Sequence, residues 1–409
     1  MKILQINSHY DQGGAARIVA CIHRQLLQEG EESYVAFGRG KISQESNIRR
    51  FDYAAEVCFS ALFSRVTGVN GWSNCLATRR LIRYIRRIQP DVIHFHALHG
   101  YYLNFSMLFD YINMQDIPCV WTFHDCHAFV GNCGYYYQCV RWQNGCGECP
   151  HLTEYPASLF FDFTTFMWQR KKELFTGGKH RIIVTPSDWL TMEAKKSFLG
   201  KYPCITVRNG IDVNNIFYPR DRKTCRTKYG YREEEKIILG IAVGYSDPRK
   251  GAKYIIQMAK DLSLEAKVIL IGWEKRNDDM LEGCSNVITL PATDNAEVLA
   301  EYYSASDVFV LPSLAENYAT TALEAMACGT PVVGFEVGGI PEQLADGKGI
   351  TVKSGDQQAF TEAVRTSLKK DSGLLRGRQL AELIQAENST EKMTEKYIEI
   401  YRRLIRGDI

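Results

Sequence analysis

DVFVLPSLAENYATTALEAMACGTPVVGFE, residues 307–336, decides the fold. The run "DVFVLPS" (307–313) reads as a strand, and the loop "LAENY" follows it. A helix is expected to start near Ala319–Thr320. Cys328-Gly329 should end it, because Gly329 can take a positive φ, and Pro331 opens the next apolar strand. Two carboxylates sit in the loop and helix. Glu316 lies just outside the helix N-terminus, where free N–H groups favour an anion, and Glu324 lies more than one turn into the helix.

The same rhythm runs along the whole chain. "KILQINS" (2–8), "ESYVAFG" (32–38), "DVIHFH" (91–96), "CVWTF" (119–123), "RIIVTPS" (181–187) and "CITVRNG" (204–210) read as strands. "KIILGIAVG" (236–244), "AKVILIG" (266–272), "NVITLP" (286–291), "DVFVLPS" and "PVVGFE" (331–336) form a second series. Nearly continuous β-branched runs separated by helices imply parallel sheets covered on both faces. Two series predict an α/β protein of two doubly wound domains, 1–213 and 214–388, parted near "NGIDVNNIFYPRDR" (209–222). Ligands of such sheets bind beyond the carboxyl ends of the strands, so two facing domains would place a cleft between two sets of loops. The charged helical end, 389–409, could pack on its own domain or cross back to the first, and crossing back is the expectation.

With 409 residues there is chain enough for two cores. A formal charge of +2 gives no ground for a nucleic-acid partner. No run is apolar and long enough for a signal peptide or a spanning helix, and the 13 cysteines are mostly scattered. A reducing cytoplasmic setting is therefore expected.

The stretch 312–342, with its Glu316-x7-Glu324 spacing, resembles the donor-site signature of retaining glycosyltransferases of family 4, which have the GT-B fold. The resemblance continues through "GFEVGGIPEQLADGKGITVKSGD" (334–356). It implies a nucleoside diphosphate sugar as donor. Glu324 would accept hydrogen bonds from ribose hydroxyls, and the backbone around Asn317, Tyr318 and Ala319 would hold the distal phosphate. Glu316 would bind donor-sugar hydroxyls near the reacting carbon.

In "VGYSDPRKGAKYIIQMAK" (243–260), Arg249 and Lys250 precede a helix opened by Gly251. Two cations and a helix start can stabilise a departing diphosphate without a metal. The family pattern has arginine where this chain has Tyr245. In the first domain Gly14 opens a helix after the first strand, a place where backbone can approach a ligand closely. His124 and Asp125 stand at a strand's carboxyl end in "VWTFHDCHAF" (120–129). The resemblance gives His124 an active-site role, with Asp125 as its orienting or acceptor-binding partner. His96 and His99, at the neighbouring strand end, are expected to contact acceptor. Ser187 and Asn209 match family positions near the cleft.

Cys133, Cys139, Cys146 and Cys149 form C-x5-C-x6-C-x2-C. The last pair has metal-knuckle spacing, which suits a structural zinc, while disulfides or free thiols are the plainer readings. A subset of bacterial polysaccharide glycosyltransferases is similar across this segment, which points to exopolysaccharide or O-antigen assembly. "RRLIRYIRRIQP" (79–90) carries five arginines in nine residues around an apolar face of Leu81, Ile85 and Ile88. That is a solvated helix face or a dock for an anionic cytoplasmic leaflet.

The expectation is a retaining, metal-independent glycosyltransferase that needs no cofactor. It would move a hexosyl unit from a UDP- or GDP-sugar to a growing, lipid-linked oligosaccharide, as a cytoplasmic protein peripheral to the membrane. The rivals are a nucleotide-sugar epimerase or hydrolase on the same architecture, and a noncatalytic carbohydrate-binding scaffold.

Overall fold

The computed structural model describes residues 1–11 and 13–408. They fall into two compact units, one formed by Met1–Arg208 with the chain from Met393 on, the other by Asn209–Lys392.

The first unit is built on β1 (Lys2–Asn7), β2 (Glu32–Phe37), β3 (Ile48–Arg50), β4 (Val92–Phe95), β5 (Cys119–Thr122), β6 (Arg181–Thr185) and β7 (Cys204–Thr206). Their order is β3-β2-β1-β4-β5-β6-β7 and every pair is parallel. The apolar runs demand this arrangement. In β1, Leu4 and Ile6 enter one core and Ile3 enters the core on the opposite face.

The second unit holds β8 (Ile237–Ile241), β9 (Lys267–Ile271), β10 (Val287–Leu290), β11 (Val308–Leu311), β12 (Val332–Phe335) and β13 (Gly349–Val352), ordered β10-β9-β8-β11-β12-β13 and again wholly parallel. β3 and β13 are additions to the expected strands. Each is an edge strand of three or four residues, too short to show a period. In each sheet the strand order reverses at one point, between β1 and β4 and between β8 and β11. These switch points are where an open α/β sheet receives a ligand.

The last helix, Thr390–Arg406, does cross back. Met393, Tyr397, Tyr401 and Leu404 recur at helical spacing and are buried against Ile3, Ile18, Val92, Val120 and Ile182 of the first unit. Each such side chain, fully buried, is worth about 1.5–3 kcal/mol. Two polar pins fix the register. Tyr401 Oη lies 2.7 Å from His94 Nδ1, and Tyr397 Oη lies 2.9 Å from Thr122 Oγ1.

Candidate active site

In the second unit the site is assembled from two loops that follow the neighbouring strands β8 and β11. After β8 the chain makes a 3-10 turn, Pro248–Lys250, capped by the Asp247 carboxylate, which accepts from the Arg249 N–H at 2.9 Å. Gly251 then takes φ +70° and starts the helix Ala252–Asp261. A Cβ at Gly251 would stand 2.0 Å from the Pro312 carbonyl oxygen, so only glycine lets the two loops close on each other. Across this contact Leu314 N–H donates to the Arg249 carbonyl at 2.8 Å.

The clasp brings Arg249, Lys250 and Glu316 together. Lys250 Nζ donates to Glu316 Oε2 at 2.9 Å, and Arg249 Nη1 lies 3.6 Å from the same oxygen. Arg249 is itself braced by Asp247 at 3.1 Å and donates to the Ala315 carbonyl at 3.1 Å. Burial pushes the Glu316 carboxyl up, but Lys250 and then Arg249 outweigh it and hold the group below the usual carboxylate range. The loop therefore carries two cations, Arg249 and Lys250, set between the carboxylates of Asp247 and Glu316. An ammonium has three N–H donors, so Lys250 can serve Glu316 and a phosphate oxygen together.

Glu324 is carried by the helix that follows the loop. It is buried in the helix Thr320–Ala327, where Tyr303 Oη donates to its Oε2 at 2.9 Å. The donor loop is held from behind by groups the sequence did not reveal. Gln343 clamps Ala319 with both ends of its amide, accepting from the N–H at 3.0 Å and donating to the carbonyl at 2.8 Å. The Ala319 N–H, expected on a phosphate, is thus already committed. Asn317 is buried. Its N–H donates to Glu316 Oε1 at 3.3 Å and its carbonyl accepts from Gly339 at 2.9 Å. Asn209, expected to line a cleft, is a buried latch that donates to the Tyr318 carbonyl at 3.3 Å and accepts from Asn388 at 3.0 Å. Tyr245, at the family's arginine position, is turned into the core with its hydroxyl unbonded.

The first unit carries a histidine array at the ends of β4 and β5. Gln5 Nε2 donates to the Val19 carbonyl at 3.3 Å, which aims its Oε1 at His96 Nε2, 3.1 Å away. His96 Nε2 must then carry the proton, leaving Nδ1 to accept from His124 Nε2 at 3.1 Å. This chain of bonds assigns neutral His124 the Nε2–H tautomer. Burial pushes His124 down to about 4, so the ring is neutral at pH 7. His96 is buried with both ring nitrogens engaged, so it supports His124 from behind and does not contact acceptor.

Asp125 pairs with His99 Nε2 at 2.7 Å and accepts from the His127 N–H at 2.9 Å. His99 thus takes the carboxylate expected to orient His124. Ser187 is fully buried, and its Oγ caps the helix Asp188–Lys196 by accepting from Leu190 at 3.1 Å. Its place is structural. Gly14 is the exposed first residue of the helix Gly14–Gln28, but the unusual backbone is one residue earlier, at Gly13 with φ +89°. Cys133, Cys139, Cys146 and Cys149 border one pocket and are all free thiols. Among the described residues no group of three or more His, Cys, Asp or Glu side chains is placed to hold a metal ion.

Two doubly wound parallel sheets define an α/β class whose ligands bind where the strand order reverses. Two family models narrow it: Glycosyltransferase Family 4 matches residues 12–215, and Glycosyl transferases group 1 matches 221–386. The chain belongs to these glycosyltransferases and has their GT-B architecture. It is 27% identical over 427 aligned positions, spanning 99% of this chain and 100% of the other, to a protein of Escherichia coli (strain K12) named as a colanic acid biosynthesis glycosyl transferase, WcaC. Among solved structures, sucrose-phosphate synthase from Thermosynechococcus elongatus covers 99% of both chains with a TM-score of 0.74 at 19% identity. Anabaena Alr3699/HepE, solved in complex with UDP-glucose, covers 98% of this chain and 99% of its own with a TM-score of 0.67 at 14% identity. These likenesses establish the fold.

Proposed function

We propose that this glycosyltransferase moves a hexosyl unit, with retention, from a nucleoside diphosphate sugar to a growing oligosaccharide carried on a lipid, in the assembly of a cell-surface polysaccharide. The observation that carries the donor assignment is the Lys250–Glu316 contact, with Arg249 beside it. A diphosphate gains negative charge as the anomeric C–O bond breaks, and two fixed cations stabilise that charge without a metal. Glu316, kept ionised, accepts from sugar hydroxyls and steadies positive charge at the anomeric carbon. Glu324 takes the ribose. As the acceptor oxygen bonds that carbon from the same face, its proton passes to the leaving phosphate oxygen. In the first unit, neutral His124 and the His99–Asp125 pair bind sugar hydroxyls. The polysaccharide context is supported by the full-length likeness to WcaC.

The test is a thermal-shift screen of UDP- and GDP-sugars on the wild type and Lys250→Met, followed by NMR of the product anomer. A donor at 100 times its Kd should add about 2.7 kcal/mol of stability to the wild type, and far less to the variant. Inverted product, or activity abolished by a chelator, would overturn the retaining, metal-free reading. Rapid release of free or epimerised sugar without acceptor would favour a hydrolase or epimerase.

A further inference from the structure

The helix Ala54–Thr67 is packed inside out. Its buried side is Val57, Ser60 and Ser64, with Ser60 1% and Ser64 2% exposed. The opposite side carries Phe59, Leu62, Phe63 and Val66, an i, i+3, i+4, i+7 stripe that faces solvent, with Phe59 66% and Leu62 62% exposed. An ordinary surface helix does the reverse. The stripe does not stand alone. Leu159 N–H donates to the Arg65 carbonyl at 2.8 Å, which fixes the segment SLFFDF beside the helix. There Phe160 and Phe161 are exposed, with ring centroids 6.4 Å apart, and Phe163 continues the row 6.1 Å beyond Phe161. Two elements nearly a hundred residues apart thus combine into one exposed aromatic surface. Monomeric soluble proteins rarely carry a contiguous apolar area of this kind without a partner for it.

The charge beside it says which partner. The helix Cys75–Ile88 starts against the first turn of the aromatic helix. Arg80 donates to the Phe51 carbonyl at 2.8 Å, its guanidinium lies 4.5 Å over the Tyr53 ring, and Ser73 bonds Ser60. Leu81, Ile85 and Ile88 are buried, and Arg79, Arg83 and Arg87 stand exposed one turn apart. None of these three makes an ion pair among the described residues. Unpaired guanidinium groups beside exposed phenylalanines match a bilayer interface, where rings enter the headgroup–acyl boundary and arginines meet lipid phosphates. A twofold contact between copies through this face would set arginines against arginines. No described helix is long and apolar enough to cross a membrane.

We propose that the faces of helices Ala54–Thr67 and Cys75–Ile88, with the segment around Phe160 and Phe161, form a docking surface for an anionic phospholipid bilayer. It uses none of the residues assigned to the sugars.

The experiment is flotation of the full chain with vesicles of phosphatidylcholine alone and of equal parts phosphatidylcholine and phosphatidylglycerol. The wild type should float with the mixed vesicles. Phe59→Ser/Leu62→Ser should bind at least about tenfold more weakly. Arg79→Gln/Arg83→Gln/Arg87→Gln should lose the preference for anionic vesicles, as the wild type should in high salt. Both variants change exposed side chains, so unfolding temperatures and transfer to a soluble acceptor should match the wild type, which separates this idea from the assignment of the sugar site. A wild type that stays with neither vesicle overturns the proposal. So does a wild-type dimer that Phe59→Ser/Leu62→Ser makes monomeric without any vesicle binding, since the surface would then belong to a second copy.

Discussion

Glu316 owes its ionised state to two neighbours, and that dependence can be measured. Its folded pKa is depressed, so its contribution to stability is present above the ordinary carboxylate range and is lost as pH falls through the lowered value. Glu316→Gln strands Lys250, and urea unfolding at pH 7 should show a loss of about 2 kcal/mol or more. The gap between variant and wild type should narrow as pH falls below the carboxylate range. Turnover by the same variant should fall about a hundredfold or more in a transfer assay. His124 runs the other way. Its folded value near 4 lies below that of a free imidazole, so the unfolded chain takes up the proton first and stability should decline from about pH 6.5 towards 4. Nitrogen NMR of the imidazole should show the neutral Nε2–H form through that range, and the pH profile of turnover should show no histidine ionisation near 6.5 from this ring. Glu316 was legible because the stretch around it resembles the family's donor-site signature, and Lys250 because it stands in a strand–loop–helix unit just before Gly251. Gln343 and Gln5 were not. Their meaning lies in partners 24 and 91 residues away, and a glutamine in a helix or strand carries no local signal of being a clamp.

At the scale of elements, the βα loop after β8 depends on Gly251. Gly251→Ala would meet both a left-handed backbone and the Pro312 carbonyl, so a loss of about 2 kcal/mol or more is expected in urea unfolding, together with loss of donor binding by calorimetry. The long central strands were legible because continuous apolar runs flanked by turn residues have few other uses. β3 escaped because Ile48–Arg50 has three residues, two of them arginines. The reversed helix Ala54–Thr67 escaped for a different reason. A period of 3.6 shows that one face is apolar, but it does not say which way that face turns.

For the whole molecule, the final helix is the piece most easily misjudged. Its apolar positions were plain, but their destination was a matter of topology. Tyr401→Phe would leave His94 Nδ1 buried with its bond unmade, at a cost of about 1–3 kcal/mol, while Tyr397→Phe should cost less because Thr122 keeps its bond to His94 Nε2. Thermal unfolding should register this as a lowered Tm. Truncation after Lys392 would uncover Ile3, Ile18, Val92 and Val120, and the expected product is insoluble.

That helix also sets an order of events during synthesis. Residues 1–208 emerge from the ribosome first, yet their hydrophobic seam waits for the helix that begins nearly two hundred residues later. At ordinary elongation speeds the delay is on the order of ten seconds or more, during which a sticky strip of sheet and helix has no cover. A nascent chain of this design should lean on a chaperone until that helix has been made, and synthesis halted before it should leave behind not half an enzyme but an aggregate.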